Sequence, residues 1–264
     1  MTQLSNKLYG NLKKKIALVD IILPNFNKGN FLQETIDSIL AQSFKDFNLF
    51  IIDDNSTDNS IRIIDKYTDS RIKFVKLKKN KGVYYCRNLG MTISKSKYIS
   101  FIDSDDYWDE NKLKNQISFM DKYEYKFTYS DYIPFKSKNN TKVFKKKINV
   151  SKEFNLKKFI HNSSIAMSTV IINRSILKNI KFKKLKVCED YLFKCEMLKE
   201  NNAYKCEHAL TFYRILKDSL QNSKIRNIYW VWHINRKYNK LNFYNNLISL
   251  LFISINSIKK YGFK

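Results

Sequence analysis

Glycine and proline are scarce in this chain, five and two among 264 residues, and their scarcity excludes whole classes of function. A dinucleotide-binding fingerprint needs several glycines at the first strand–helix turn, where only Gly29 lies, and no Walker sequence is present. Rossmann oxidoreductases and P-loop NTPases are both disfavoured. The four cysteines, Cys86, Cys188, Cys195 and Cys206, show no C-x-x-C spacing and no paired histidine. That argues against a zinc site and for reduced thiols in a cytoplasmic protein. His161, His208 and His233 fit no nucleophile–base arrangement. No apolar run approaches the roughly 20 residues that cross a bilayer; the nearest, 247–258, is broken by Ser249, Ser254, Asn256 and Ser257. Nor does a signal peptide precede Pro24, because the apolar run after Lys13, Lys14 and Lys15 is too short. Internal repeats and Gly/Ser/Pro-rich linkers are also missing.

What is present suffices for one large α/β domain with a buried core, since 44% of the residues are apolar. Charge is lopsided: 49 Lys and Arg against 24 Asp and Glu leave a net +25. Such an excess suits a polyanionic partner, whether nucleic acid, an anionic membrane face or a phosphorylated substrate. An A/T-biased genome, enriching Lys, Asn, Ile, Tyr and Phe, would produce the same excess without any partner.

The hydrophobic pattern alternates short buried strands with amphipathic helices. Strands are expected at 17–23, 47–52, 73–77 and 98–102, and helices after each, the first with Asn30 as its N-cap and the others over about 61–67, 83–93 and 109–123. Repeated βα units imply a mainly parallel sheet, whose ligands bind beyond the carboxyl ends of the strands. Three of those ends carry polar groups: Pro24-Asn25-Phe26-Asn27, Asp53-Asp54-Asn55-Ser56 and Asp103-Ser104-Asp105-Asp106. Beyond residue 125 the pattern loosens into a hairpin around Asn139-Asn140, a strand at 166–172, a helix at 189–198 with Tyr191, Leu192, Cys195 and Leu198 on one face, and a helical tail.

Each polar cluster has an ordinary reading beside the functional one. Asp53-Asp54-Asn55-Ser56 can be a turn whose Asn or Ser caps the next helix, or an acceptor for a base N–H or a ribose hydroxyl. Asp103 and Asp105 can stand in a turn, or can address one Mg²⁺ or Mn²⁺ bridging a diphosphate, expected on a solvent-facing loop. Glu189-Asp190 can simply favour a helix N-terminus. Tyr229 to Lys237 interleaves aromatic and basic residues, as a nucleic-acid binder would. But no nucleic-acid motif is found, and three acidic strand ends would repel phosphates unless a metal were bound. A metal-dependent nucleotidyltransferase is a further alternative, and it leaves Glu189-Asp190-Tyr191 unexplained.

Taken in order and with their spacing, 19–27, Gln42-Ser43-Phe44, 50–58, Gly82 through Arg87-Asn88, and 101–106 resemble the family 2 inverting glycosyltransferases of the GT-A fold, of the type that builds bacterial surface polysaccharide and lipooligosaccharide. The resemblance covers about 16–125. It implies an α/β GT-A nucleotide-binding domain with a mainly parallel central sheet and a C-terminal helical tail. It also implies a nucleotide-sugar donor, UDP-linked by family weighting, and a glycan or lipid-linked oligosaccharide acceptor, with no nucleic acid among the partners. By the same resemblance Pro24 and Phe26 line the base pocket, Asp54 recognises uracil with Asp53 beside it, and Arg87 lies near the nucleotide. Asp103 contacts ribose or metal, Ser104 sits within the nucleotide site, and Asp105 binds Mn²⁺ or Mg²⁺. Asp190 is the implied catalytic base, with Glu189 next to it. Tyr213-Arg214 with Ser219 and Ser223 resembles a segment closing over the donor, which makes Arg214 a diphosphate ligand, although Leu216 stands where the family often has histidine.

The expected organisation is a catalytic unit at 1–224, with its nucleotide half at 16–125 and its acceptor half at 126–224, followed by a basic, aromatic tail at 225–264. Cations on one side of that tail and apolar residues on the other would suit peripheral contact with an anionic membrane at the inner face of the cell membrane; packing on the domain or across a dimer is the alternative.

Overall fold

A computed structural model of the chain describes residues 16–138, 141–216 and 223–261. The turn at Asn139-Asn140 and Ser219 lie outside them. In chain order the elements are β1 (Val19–Asn25), α1 (Gly29–Leu40), β2 (Phe47–Asp53), α2 (Ser60–Ile64), β3 (Ile72–Lys76), α3 (Val83–Ile93), β4 (Tyr98–Phe101), β5 (Tyr107–Trp108), α4 (Lys112–Tyr123), β6 (Phe127–Lys138), β7 (Thr141–Phe144), β8 (Glu153–Phe154), α5 (Leu156–His161), β9 (Ile171–Asn173), α6 (Glu189–Leu198), β10 (Ala203–Arg214), α7 (Lys224–Lys237) and α8 (Phe243–Tyr261). Short 3₁₀ turns at Met167–Thr169 and Arg174–Leu177 flank β9.

One sheet runs through the molecule in the order β3-β2-β1-β4-β9-β6-β10-β5, with β7 on β6 and β8 on β10. Its first four strands are mutually parallel. They read as near-continuous apolar runs because both faces are covered. Val19, Ile21 and Leu23 point to the side of α1 and α4, against Leu32, Ile36, Leu113 and Met120, while Ile22 faces the opposite core with Phe101 and Phe193. Each such side chain contributes roughly 1.5–3 kcal/mol on full burial. β1 lies between β2 and β4, so the chain order reverses beside it, and this switch point is where an open α/β sheet leaves a crevice.

The second half of the sheet is mixed. β9 is antiparallel to both β4 and β6, whereas β10 is parallel to β6 with a bulge between Cys206 and Leu210. The strand expected at 166–172 is in fact a 3₁₀ turn followed by three strand residues. Glu189–Leu198 is helical as expected but buried nearly all round, with Phe193, Lys194 and Met197 enclosed besides the expected face. α7 adds Val231 and Ile234 to the core, and the Tyr191 hydroxyl donates to Asn235 Oδ1 at 2.8 Å.

The first helix does not begin at an Asn30 cap. Lys28 occupies the N-cap position without a side-chain bond, and Asp58, from the loop after β2, accepts the Gly29 N–H at 2.8 Å. A partner from a neighbouring loop satisfies the orphan donor and ties the first two loops together. A Cβ at 29 would lie 1.8 Å from Asn59 Oδ1, so any other residue there requires the Asn59 side chain to move.

Candidate active site

Parallel register brings the three polar strand ends to one edge, with Asn25 opposite Asp53 and Ile22 opposite Phe101. Asp53 is fully buried. Its carboxylate accepts Asn25 Nδ2 at 2.8 Å, the Ser56 hydroxyl at 2.6 Å and the Ser56 N–H at 2.9 Å. Asp54, also buried, accepts the backbone N–H groups of Lys81 and Gly82, each at 2.7 Å. These two acids hold loops in place: one braces the β2 turn, the other draws in the loop before α3. Gly82 adopts φ +89, where a side chain would be strained. Asn27 and Asn55 likewise take positive φ, at 51° and 65°, a conformation asparagine tolerates. Pro24 is buried in β1, while the Phe26 ring just beyond is 44% exposed and forms an apolar platform at the crevice.

The β4 end carries four polar residues with different surroundings. Asp106 is buried, accepting Ser168 Oγ at 2.6 Å and the Arg214 N–H at 2.8 Å. Burial, then the charges of Asp105 and Asp103, push its carboxyl well above the ordinary range. Ser104 is buried as well. Asp103 accepts Arg87 Nη2 at 2.7 Å, and Asp105 Oδ2 accepts Lys28 Nζ at 2.8 Å. The Asp105 side chain is only 17% exposed, so the solvent-facing loop expected for it is instead a largely enclosed one, closed over by Lys28.

α6 contributes the remaining acids. Its N-cap, Cys188, holds φ 62, a costly conformation for a side chain that points to local over-determination at this helix start. Glu189 accepts Arg87 Nη1 at 3.0 Å, so one buried guanidinium joins the Asp103–Asp106 turn to α6. Asp190 accepts Lys194 Nζ at 2.8 Å, and the same ammonium donates to the Ile165 carbonyl at 2.7 Å. Environment separates the two acids. Burial would raise Asp190, but Lys194 and then Arg87 outweigh it and hold the carboxyl below its usual range. Burial raises Glu189, with Asp190 adding to it and Arg87 only partly opposing. Burial also works against the charge on Arg87, yet Asp103, Glu189 and Asp190 more than compensate.

Arg214 sits at the end of β10 beneath the Asp103–Asp106 turn. Its Nε donates to the Asp105 carbonyl at 2.8 Å, its other nitrogens bond Ser137 Oγ and Glu34, and its plane lies over Phe31 and Phe135. In this arrangement the guanidinium supports the turn.

Asp103 and Asp105 offer the donor set that Mg²⁺ or Mn²⁺ takes when two carboxylates hold it and substrate phosphates and water complete its shell. Asp105 is raised first by burial, a cost that Lys28 offsets in part and Asp103 adds to. A divalent cation relieves such crowding of like charge, so the residues fit one. Among the described residues no cluster of three or more His, Cys, Asp or Glu forms an all-protein metal cage.

Lys28, Glu34, Ser168 and Lys194 also belong to the site, and the first three carry no sequence signal. Lys194 alone was discoverable, standing one helical turn after Asp190, where i,i+4 pairs meet.

The model of the family described as glycosyl transferase family 2 matches residues 20–181, and so ends before α6. A UDP-Glc:alpha-D-GlcNAc-diphosphoundecaprenol beta-1,3-glucosyltransferase of Escherichia coli, WfaP, is 33% identical over 249 residues, covering 94% of this chain and 97% of its own. A second E. coli enzyme named for the same reaction, WfgD, is 30% identical over 252 residues, with 93% and 96% covered. Among solved structures, S. aureus TarS 1–349 in complex with UDP-GlcNAc superposes with a TM-score of 0.70 at 20% identity, over 92% of this chain and 73% of that one. That last likeness speaks for the fold.

Proposed function

The chain belongs to glycosyl transferase family 2, and from that premise we propose that it moves a sugar, with inversion, from a UDP-sugar to a hydroxyl of a lipid-diphosphate-linked glycan in surface-glycan synthesis. The observation that carries the reading is the Arg87 bridge, which puts the nucleotide-side acid Asp103 and the α6 acids around one cation. Relatives alike over more than nine-tenths of both chains are named for UDP-Glc and α-D-GlcNAc-diphosphoundecaprenol. That pair is the first to test.

In this reading Phe26 and Pro24 border the base, and Asp53 and Asp54 keep the loops around it in register. Asp103 and Asp105 would hold Mg²⁺ or Mn²⁺, which when bound neutralises charge on the departing diphosphate. Asp190, kept ionised by Lys194, accepts the proton of the acceptor hydroxyl as its oxygen bonds the anomeric carbon. The bond from that carbon to the diphosphate oxygen breaks on the opposite face, so configuration inverts and UDP leaves. Arg87 keeps Glu189 paired and the metal-motif turn fixed, and Arg214 supports the same turn from below. A lipid-linked acceptor would be met at a membrane surface, so a peripheral location belongs to the reading.

The test is transfer itself: purified protein, Mn²⁺, and a panel of UDP-, GDP- and dTDP-sugars with a lipid-diphosphate GlcNAc acceptor, product mass being the readout. UDP release coupled to a one-hexose mass gain is expected. Turnover with only GDP- or dTDP-sugars would remove the UDP assignment, and a product of the wrong anomeric configuration by NMR would remove inversion.

A further inference from the structure

α8 turns much of its apolar surface away from the protein. Its 19 residues span roughly 28 Å at 1.5 Å per residue, and the side turned to the protein combines Leu250 and Ile253, packed on the core, with a row of polar residues. Asn246 and Ser249 are fully buried there. Asn246 Nδ2 donates to the Trp232 carbonyl at 3.1 Å, and Ser249 Oγ to the Ile160 carbonyl at 2.5 Å. Two turns further, Asn256 Nδ2 donates to the His161 carbonyl at 3.1 Å, and one turn beyond that Lys260 Nζ donates to Asn162 Oδ1 at 3.0 Å. Ile160 and His161 end α5, whose last carbonyls have no partner within their own helix. Ser249 and Asn256 supply those partners, and together with the inward packing of Leu250 and Ile253 this fixes which way the helix is rolled.

The consequence falls on the other side. Tyr244, Leu247, Ile248, Leu251, Phe252 and Ile255 are between 42% and 76% exposed. Trp232 meets Phe243 edge-on at 5.4 Å and carries the apolar surface onto α7, where Ile225 and Tyr229 are 85% and 61% exposed. A continuous apolar surface of this kind marks an interaction site. Its borders are cationic: Arg236, Lys237 and Lys240 are exposed at one end and Lys259 at the other.

We propose that this α7–α8 face lies on an anionic lipid bilayer, with the apolar side chains entering the headgroup–acyl boundary and the bordering cations on the lipid phosphates. Charge selects the occupant. In a pairing of two copies the same cations would face one another on molecules that each carry +25, whereas an anionic surface neutralises them. Side-on anchoring to α5 and α7 keeps α8 flat, and no helix among the described residues is long and apolar enough to cross a membrane. The proposal stands on the roll of α8 and does not depend on which acceptor is used.

The experiment is flotation of the full chain, without donor or acceptor, on vesicles of phosphatidylcholine with or without about one-third phosphatidylglycerol, at low and high salt. Binding to the anionic vesicles is expected, about 10-fold weaker on phosphatidylcholine alone and weakened by salt. The double variant Leu247→Glu/Leu251→Glu changes only exposed positions and should keep the wild-type Tm while losing about 10-fold or more in binding. Lys66→Glu, exposed on the far side of the sheet order, should bind as wild type. Full-length protein that ignores anionic vesicles at low salt overturns the proposal, as does undiminished binding by the double variant. Light scattering is read in parallel: a dimer that the double variant dissociates, with no vesicle binding, would make the face an interface between copies. None of these failures touches the transferase reading, since no transfer is measured.

Discussion

Lys28 Nζ lies 2.8 Å from Asp105 Oδ2, with the two side chains 31% and 17% exposed. The ammonium comes from the turn before α1 and the carboxylate from the turn after β4, 77 residues later. It therefore occupies one of the two carboxylate oxygens that a metal on Asp105 would use. Lysine and metal compete for one oxygen, so Lys28→Met is expected to raise Mn²⁺ affinity about 10-fold, roughly the effect of removing one partly screened charge. Asp105→Ala should instead abolish metal-dependent UDP binding while the fold survives, because Arg214 bonds the backbone carbonyl there. Calorimetry with Mn²⁺, then with Mn²⁺ and UDP, distinguishes the two. Equal Mn²⁺ affinity in all three proteins would take Asp105 out of the metal site.

Asp190→Asn should bind UDP nearly as wild type and lose transfer by ~10²–10⁴-fold, the usual cost of removing a general base. The substitution also leaves Lys194 without its carboxylate, so thermal unfolding is measured alongside. A fall in turnover that merely tracks unfolding, or wild-type turnover, would move the base elsewhere, with Glu189 next to be replaced.

Removing Arg87 leaves the enclosed Glu189 and the one-third-exposed Asp103 as uncompensated carboxylates. Arg87→Met is therefore expected to lower stability by about 3–5 kcal/mol, as breaking one side of a buried ionic group does. Urea denaturation near neutral pH reads it, and a loss below about 1 kcal/mol would mean that water already screens the bridge.

Asp20 provides the pH-dependent prediction, away from the site. It is 1% exposed on β1 and accepts Ser94 Oγ, Lys95 N–H, Ser96 N–H and Asn48 Nδ2. Burial alone would raise its carboxyl, but these hydrogen bonds outweigh it and hold the group below its ordinary 3.8. A depressed folded-state value stabilises above the unfolded one and is lost as pH falls through the folded one. Asp20→Asn should cost about 1–3 kcal/mol near neutral pH, and the gap to wild type should narrow below pH 4. A gap that stays constant down to the acid unfolding transition would show that the charge on Asp20 contributes nothing.

The first, parallel part of the sheet was readable from local pattern. Its strands are buried on both faces, so they stand out as apolar runs, and each stops on polar residues that the register then brings to one edge. The helix at 83–93 and the helix at 189–198 coincide with α3 and α6. β10 was not legible, because Lys205, Glu207 and His208 interrupt its apolar pattern and a bulge resets its alternation. Its stability comes from pairing with β6, more than 70 residues earlier in the chain.

By itself the sequence determined which residue types stand at the strand ends and which helices have two unlike sides. Tertiary structure decided what those residues do to one another. Arg87 meets Asp103 and Glu189, 16 and 102 residues away, and no local pattern records a pairing across such separations. The tail shows the same division. Its periodicity separates an apolar side of α8 from a polar one, and burial of apolar surface would by default turn the apolar side inward. The carbonyls at the end of α5 turn Ser249 and Asn256 inward beside Leu250 and Ile253, because buried backbone acceptors need donors, and the rest of the apolar side is left exposed.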